Sequence, residues 1–426
     1  RGPVRSAAGN WGDMGGRCDM IPGVENGRLE DVDMRFPSIG ISNARIFLGW
    51  GGYYQDTNND HIIDDQDTVN TDAAGFTLDD VDFGMALMKP LLKMPTIPGN
   101  YYAISAHAEK LALVGIEDVT LEGQDIDFAL NSSSLQPSLY VVPPHVDFQS
   151  SFENGEYAVK TGNEPVIMDF SSYLLQVSVG YMEMDVMDAL FLSGSMAVQM
   201  GSMETVTLSD GSTKEVTTMT LGLNDVYGFV GDGPYWQDSN GDGRVDESDE
   251  PADADFGLAI ENLDGGFALM RTLATSGDPG LYLGAKLTFA QAGLVGVDDA
   301  VELEVEDFSV DINLGLDSSM AAVDFQASFG AQGYAVDTGN EAEPVYLGYE
   351  QMYFRAAGQA YLNVMDLAYL NGFFDIQVSP NELMVFVDAQ ASIADKPESK
   401  GGNPVLGFDA LGLLVINSGG LGFNLE

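Results

Sequence analysis

Cysteine is almost missing from this 426-residue chain: Cys18 is the only one, so no disulfide can form within it. Histidine is scarce, with 3 residues, and the 17 Lys and Arg face 66 Asp and Glu, a formal net charge of −49. A surface so poor in cations cannot neutralise phosphates, which excludes nucleic acid as a partner. Long apolar runs are lacking too. The longest, such as 411–417, are far too short to cross a membrane as a helix, so no membrane insertion is expected. Helical periodicity is nearly absent, and only short turns are expected, around "DESDEPAD" (246–253) and "NELM" (381–384). The chain begins without Met and without a signal-peptide pattern, as a processed piece of something longer would.

What is present points to an all-β protein. Apolar residues make up 45% of the chain, enough for a sizeable core, and 50 glycines accompany many Asp and Asn turns and abundant Val, Leu and Phe. The acidic excess suits saline or calcium-bearing surroundings, where counterions screen self-repulsion. An extracellular chain without disulfides needs another staple, such as metal ions or repeat packing.

The chain repeats itself. "ARIFLGWGGYYQDTNNDHIIDDQD" from Ala44 aligns with "VYGFVGDGPYWQDSNGDGRVDESD" from Val226, an offset of 226 − 44 = 182. "VDFQSSF" at Val146 matches "VDFQASF" at Val323, and "YAVKTGNE" at Tyr157 matches "YAVDTGNE" at Tyr334, both 177 apart. The boundaries are then a leader and the end of a preceding repeat (1–43), one unit (44–225), a second (226–404) and the start of a third (405–426), where "VLGFDA" echoes "TLGLND" at Thr220. Within a unit, "LGLNDVYGF" (Leu221), "LAIENLDGGFAL" (Leu258), "LTFAQAGLVG" (Leu287), "LEVEDFSVDI" (Leu303) and "LNVMDLAYL" (Leu362) share one pattern. Each alternates, breaks at two small or polar residues and alternates again, which predicts strand, corner, strand. The fold expected is therefore all-β, with tandem repeats of roughly 180 residues in an elongated, solenoid-like form; tandem β-sandwiches are the alternative.

One loop per unit carries chemistry. Numbered from Asp238, the residues Asp238, Asn240, Asp242, Gly243, Arg244, Asp246 and Asp249 fall at positions 1, 3, 5, 6, 7, 9 and 12, the EF-hand calcium spacing. Arg244 would contribute its backbone carbonyl, and Val245 at position 8 would anchor the loop to the core. The twin is Asp56, Asn58, Asp60, Ile62, Asp64 and Asp67, with His61 where the other loop has Gly243. A side chain forced to positive φ costs about 1 kcal/mol, so the first loop should bind more weakly. Oxygen donors in a flexible loop suit Ca2+ better than the tighter Mg2+ octahedron. These loops resemble those of dockerins and thrombospondin type-3 repeats over about a dozen residues each.

No catalytic set emerges. His61, His107 and His145 do not recur between units and have no nucleophile motif beside them, so the chain reads as no enzyme. Glu302, Glu304 and Glu306 alternate along one strand, which predicts a solvated face. Tyr53, Tyr54, Tyr235 and Trp236 precede the loops and are the candidate glycan contacts. As a whole the chain resembles the giant secreted bacterial proteins built of β-rich repeats with calcium loops. That resemblance implies an extracellular or cell-surface structural role: self-association into a fibre, filament or surface layer. Other copies of the chain are the expected partners, head to tail, with β-augmentation at the chain ends. A carbohydrate-binding adhesin module is the alternative, and an accessory domain of a polysaccharide-active enzyme a third reading.

Overall fold

The computed structural model describes residues 15–21, 29–63, 66–91, 99–134, 143–252, 256–272, 280–297, 301–316, 321–340, 342–396 and 401–425. It is all-β. A short entry hairpin, β1 (Gly15–Ile21) and β2 (Leu29–Arg35), leads into β3 (Ser38–Trp50), β4 (Ala74–Pro90), β5 (Tyr101–Val114) and β6 (Val119–Ser133). A crossover follows: β7 (His145–Asp147), α1 (Phe148–Ser151), β8 (Tyr157–Val159) and β9 (Val166–Met168). The sheet resumes with β10 (Leu174–Val186), β11 (Leu190–Leu208), β12 (Thr213–Asp232), β13 (Phe256–Thr272), β14 (Leu281–Val295) and β15 (Val301–Gly315). A second crossover holds β16 (Val323–Asp324), α2 (Phe325–Phe329), β17 (Tyr334–Val336) and β18 (Val345–Leu347). Last come β19 (Tyr353–Val364), β20 (Ala368–Ser379), β21 (Glu382–Ile393), β22 (Leu406–Asn417) and β23 (Gly420–Leu425).

The long strands form one antiparallel meander in the order β3-β4-β5-β6-β10-β11-β12-β13-β14-β15-β19-β20-β21-β22-β23. No described pairing joins β3 to β23, so the sheet is open at both ends. Elongation comes from strands added side by side, since every described pairing is antiparallel, whereas stacked solenoid coils pair in parallel. Strands six steps apart play matching parts: β3 and β12 enter the acidic loops, and β6 and β15 enter the crossovers. Counted this way β21, not β22, takes the place of β12. The third set of strands thus starts one strand before the similarity at Val405.

The corners form in three of the five stretches named above, those of Leu221, Leu258 and Leu303, and in their counterparts one repeat earlier. Asn43, Asp80 and Asp125 take left-handed conformations (φ 50°, 50° and 54°), as do Asp225, Asn262 and Asp307 (53°, 50° and 49°). Each of the second three lies 182 residues after its counterpart. Asn and Asp tolerate this region best among residues with a Cβ. "LTFAQAGLVG" in β14 has no such residue, and "LNVMDLAYL" is a hairpin instead. Met365 and Asp366 both have φ 54°, the signature of a two-residue type I′ turn, as do Met187 and Asp188 (59° and 54°). Short turns form at both sites expected from the sequence, at Glu247–Ser248 and Pro380–Asn381, and two short helices form besides, Phe148–Ser151 and Phe325–Phe329; Asp147 and Asp324 cap them by accepting from the Ser150 and Ala327 amides.

The crossovers cover one face of the sheet. Asn131 and Asn313 are fully buried, and each amide donates to two backbone carbonyls, those of Val146 and Ser172 and those of Val323 and Gln351, at 2.7–2.8 Å. Two cores form beneath, one around Met88, Tyr101, Phe148 and Met168, the other around Met270, Tyr282, Phe325 and Leu347. A Cβ at Gly222 would sit 1.9 Å from the Asp337 carbonyl oxygen, so only glycine lets the crossover lie this close.

The opposite face is lined by apolar rows. One row of directly paired residues starts at Ile41, runs through Phe83, Phe128, Leu221, Phe267 and Phe354, and ends at Leu421; every member is Ala, Val, Leu, Ile or Phe. A second runs from Ile39 through Met85, Leu130, Met200 and Leu269 to Leu314, all Ile, Leu or Met. Beyond the corners a third runs from Leu121 through Leu192, Ile260 and Val305 to Ala410, apolar or glycine throughout. The bulges keep these rows on one face although the apolar positions switch parity in sequence.

Candidate cation-binding loops

Each loop joins two neighbouring strands, β3 to β4 and β12 to β13, and each is wrapped around its first carboxylate. In the second loop Asp238 accepts from the amides of Gly241 (2.6 Å), Asp242 (3.1 Å) and Gly243 (2.8 Å). Asn240 accepts from Asp242 N (2.8 Å), and Asp242 from Arg244 N (3.0 Å). Asp249 closes the ring by accepting from Ser239 N (2.8 Å), Asn240 N (3.2 Å) and Asp246 N (3.0 Å). Burial opposes ionisation of Asp249, but these hydrogen bonds prevail and hold its carboxyl below the usual range.

The first loop repeats much of the pattern. Asp56 accepts from His61 N (3.0 Å), Asn58 from Asp60 N (2.9 Å), Asp60 from Ile62 N (2.8 Å), and Asp67 from Thr57 N (2.8 Å) and Asn58 N (3.2 Å). His61 has φ 68°, matching Gly243 at 90°, so a side chain does occupy the left-handed position. Asp64 lies outside the described residues. Asp56 Oδ1 is buried and has no hydrogen-bond partner among the described residues, whereas both Asp238 oxygens are engaged.

The second loop is seated on the sheet. Val245 is buried with Phe191, Tyr227, Phe229, Trp236 and Ala259. Its amide donates to the Tyr181 hydroxyl of β10 at 2.8 Å, and Arg244 lies 5.3 Å over the Tyr181 ring. Gln124 of β6 donates to the Gly243 carbonyl at 3.4 Å. Sequence reasoning missed Tyr181 and Gln124; being more than 60 residues from their partners in the loop, they leave no local signal.

Comparison of the chain with protein-family models, with curated proteins and with solved structures returns no match.

The four aromatic residues are engaged with the chain itself. Trp236 is buried, meets Tyr227 and Tyr235 edge-on (5.0 and 4.8 Å), and donates its indole N–H to the Gly228 carbonyl at 2.9 Å. Tyr235 stacks on Phe229 and Tyr53 on Phe47; Tyr54 meets Tyr53 edge-on and donates to Asp79 at 2.7 Å. Trp236 is buried, whereas Tyr53, Tyr54 and Tyr235 are half-buried. Glu302 and Glu304 also differ from expectation. They line a pocket of about 400 Å³ beside Trp236, while Leu303 between them is exposed.

Among the described residues no three acidic, His or Cys side chains are gathered as a metal-binding group on their own. The donors in each loop are mixed: carboxylates, one side-chain amide and a backbone carbonyl. All are hard oxygens, which match Ca2+ and not the nitrogen- and sulfur-seeking metals.

Proposed function

We infer that the chain is an extracellular structural repeat protein whose loops take up Ca2+ and stiffen the sheet, so that copies associate into a fibre or surface layer. The observation that carries this is the shared hydrogen-bond ring of the two loops, together with the buried Asp56 Oδ1, unpartnered among the described residues. A carboxylate oxygen is costly to bury without a partner. Asp238, Asn240, Asp242, Asp246 and Asp249, with the Arg244 carbonyl, would hold the ion in one loop. Asp56, Asn58, Asp60, Asp64 and Asp67, with the Ile62 carbonyl, would hold it in the other. The cation would supply charge neutralisation, which matters in a chain of net charge −49.

The protein's own groups set what that does. Tyr181 and Val245 tie the second loop to β10, so ordering the loop fixes the hairpin of β12 and β13 against its neighbours. The open edges at β3 and β23 leave backbone groups available for end-to-end addition. Fourteen antiparallel steps separate these edges, so they run in the same direction and a joint made by continuing the sheet would be parallel. The test is thermal unfolding and negative-stain electron microscopy of the full chain in millimolar calcium and in chelator. Calcium should raise the melting temperature and yield ordered assemblies that disperse on chelation. An unchanged melting temperature would sink the staple.

A further inference from the structure

The bare apolar face of the sheet is an interaction surface. Its rows carry no Asp, Glu, Lys or Arg, although the chain holds 66 acidic residues. Large side chains stand exposed there: Leu48 is 63% accessible, Val230 60%, Leu258 55% and Phe408 59%. Isolated exposed Leu or Val residues are ordinary; a continuous face is not.

We propose that this face packs against the same face of a second copy of the chain, making a two-sheet sandwich with the crossovers and acidic loops on the outside. Size supports it. Strands ~4.8 Å apart and about 12 residues long at ~3.3 Å each give a face of roughly 70 by 40 Å. A stable dimer needs only about 800 Å² per partner. Two sheets of equal twist nest with their strands nearly aligned. The row from Leu121 to Ala410 includes Gly228, Gly372, Ala292, Ala360 and Ala389, small residues that let a second sheet come close. Charge supports it as well. The other face carries the acidic loops and repels itself, leaving this face as the one across which two copies can meet. Lipid fits less well, because the unpaired backbone edges of β3 and β23 would be stranded in hydrocarbon.

This association needs no metal and does not rest on the calcium reading. The experiment is sedimentation equilibrium of the full chain in chelator, repeated with calcium. The variants are Val230→Lys/Leu258→Lys, a directly paired couple in β12 and β13, and Leu48→Lys in β3. Wild type should sediment as a dimer in chelator and as a dimer or a larger assembly in calcium. The double variant should keep its circular dichroism spectrum and melting temperature while its dissociation constant rises about 100-fold or more, since two unpaired charges would have to be buried. Leu48→Lys, on a different hairpin, supplies the same readout if the double variant unfolds. A wild-type monomer at tens of micromolar, or folded lysine variants that stay dimeric, would overturn the proposal. So would wild type that floats with phosphatidylcholine vesicles and does not dimerise, which would make the face a lipid surface. Dimerisation in chelator with no effect of calcium on stability would leave this inference standing and remove the staple.

Discussion

The sharpest test of the calcium loops is Gly243→Ala. Gly243 has φ 90°, and a Cβ built on it meets nothing within 4 Å, so the substitution adds strain without a clash. An L-residue in the left-handed region costs about 1–2 kcal/mol, which as a loss of binding is roughly 5- to 30-fold in dissociation constant. The first loop already carries that strain at His61, with φ 68°. His61→Gly should therefore tighten its site, by no more than about 5-fold, because a freer glycine gives back ~0.5–1 kcal/mol in chain entropy. The assay is calorimetric titration of calcium into stripped protein. Wild type should show two sites of unequal affinity, which converge in Gly243→Ala. Gly211→Ala is the control: φ 81°, open space around the Cβ, and a place in the β11–β12 hairpin away from either loop. It should lower stability and leave calcium binding alone. If Gly243→Ala binds as wild type does, or Gly211→Ala weakens binding equally, the loop reading fails.

Trp236→Ala removes a buried ring and leaves the Gly228 carbonyl without its donor, a cost of about 3–5 kcal/mol. A chain this long and repetitive need not unfold in one step, so local opening is the quantity to follow. Hydrogen exchange of the Val245 amide should accelerate by about 100-fold or more, and unaltered protection would show that the ring does not seat the loop. Asp225 has its carboxyl pushed up to about 6 by burial and then by Asp264, Asp246 and neighbouring acids. Its folded pKa lies above its unfolded one, so its favourable contribution is full below the ordinary carboxylate range and is lost as pH rises to about 6. In chelator, denaturant midpoints should fall over that window in wild type and fall less in Asp225→Asn; identical pH profiles would refute this.

Much of this was legible in the sequence because it is local. Period-two alternation and turn residues give strands irrespective of what they pack on, and the twelve-residue loop spacing reads directly because the hydrogen bonds within the loop join residues at most eleven apart. Corners marked by Asn and Asp were visible for the same reason, since only a few residue types tolerate φ near +50°. The misplaced ones show the limit. "LNVMDLAYL" carries the same apolar break as "LGLNDVYGF", yet two consecutive left-handed residues reverse the chain at Met365–Asp366 whereas one left-handed residue only kinks it at Asp225.

What the alternation could not say is which face would be covered. Sequence reasoning put Glu302, Glu304 and Glu306 together on a solvated face. In the fold the crossovers and loops lie on the face of Glu304, held there by Asn131 and Asn313 and admitted by the missing Cβ at Gly222. Leu303 and its row are left bare. Alternation fixes which residues share a face, because neighbouring side chains point to opposite sides of a strand. The choice of face belongs to contacts between the sheet and the crossovers, some of them more than a hundred residues apart in the chain, such as Gly222 with Asp337 and Thr207 with Ser328, and only the tertiary structure brings those together.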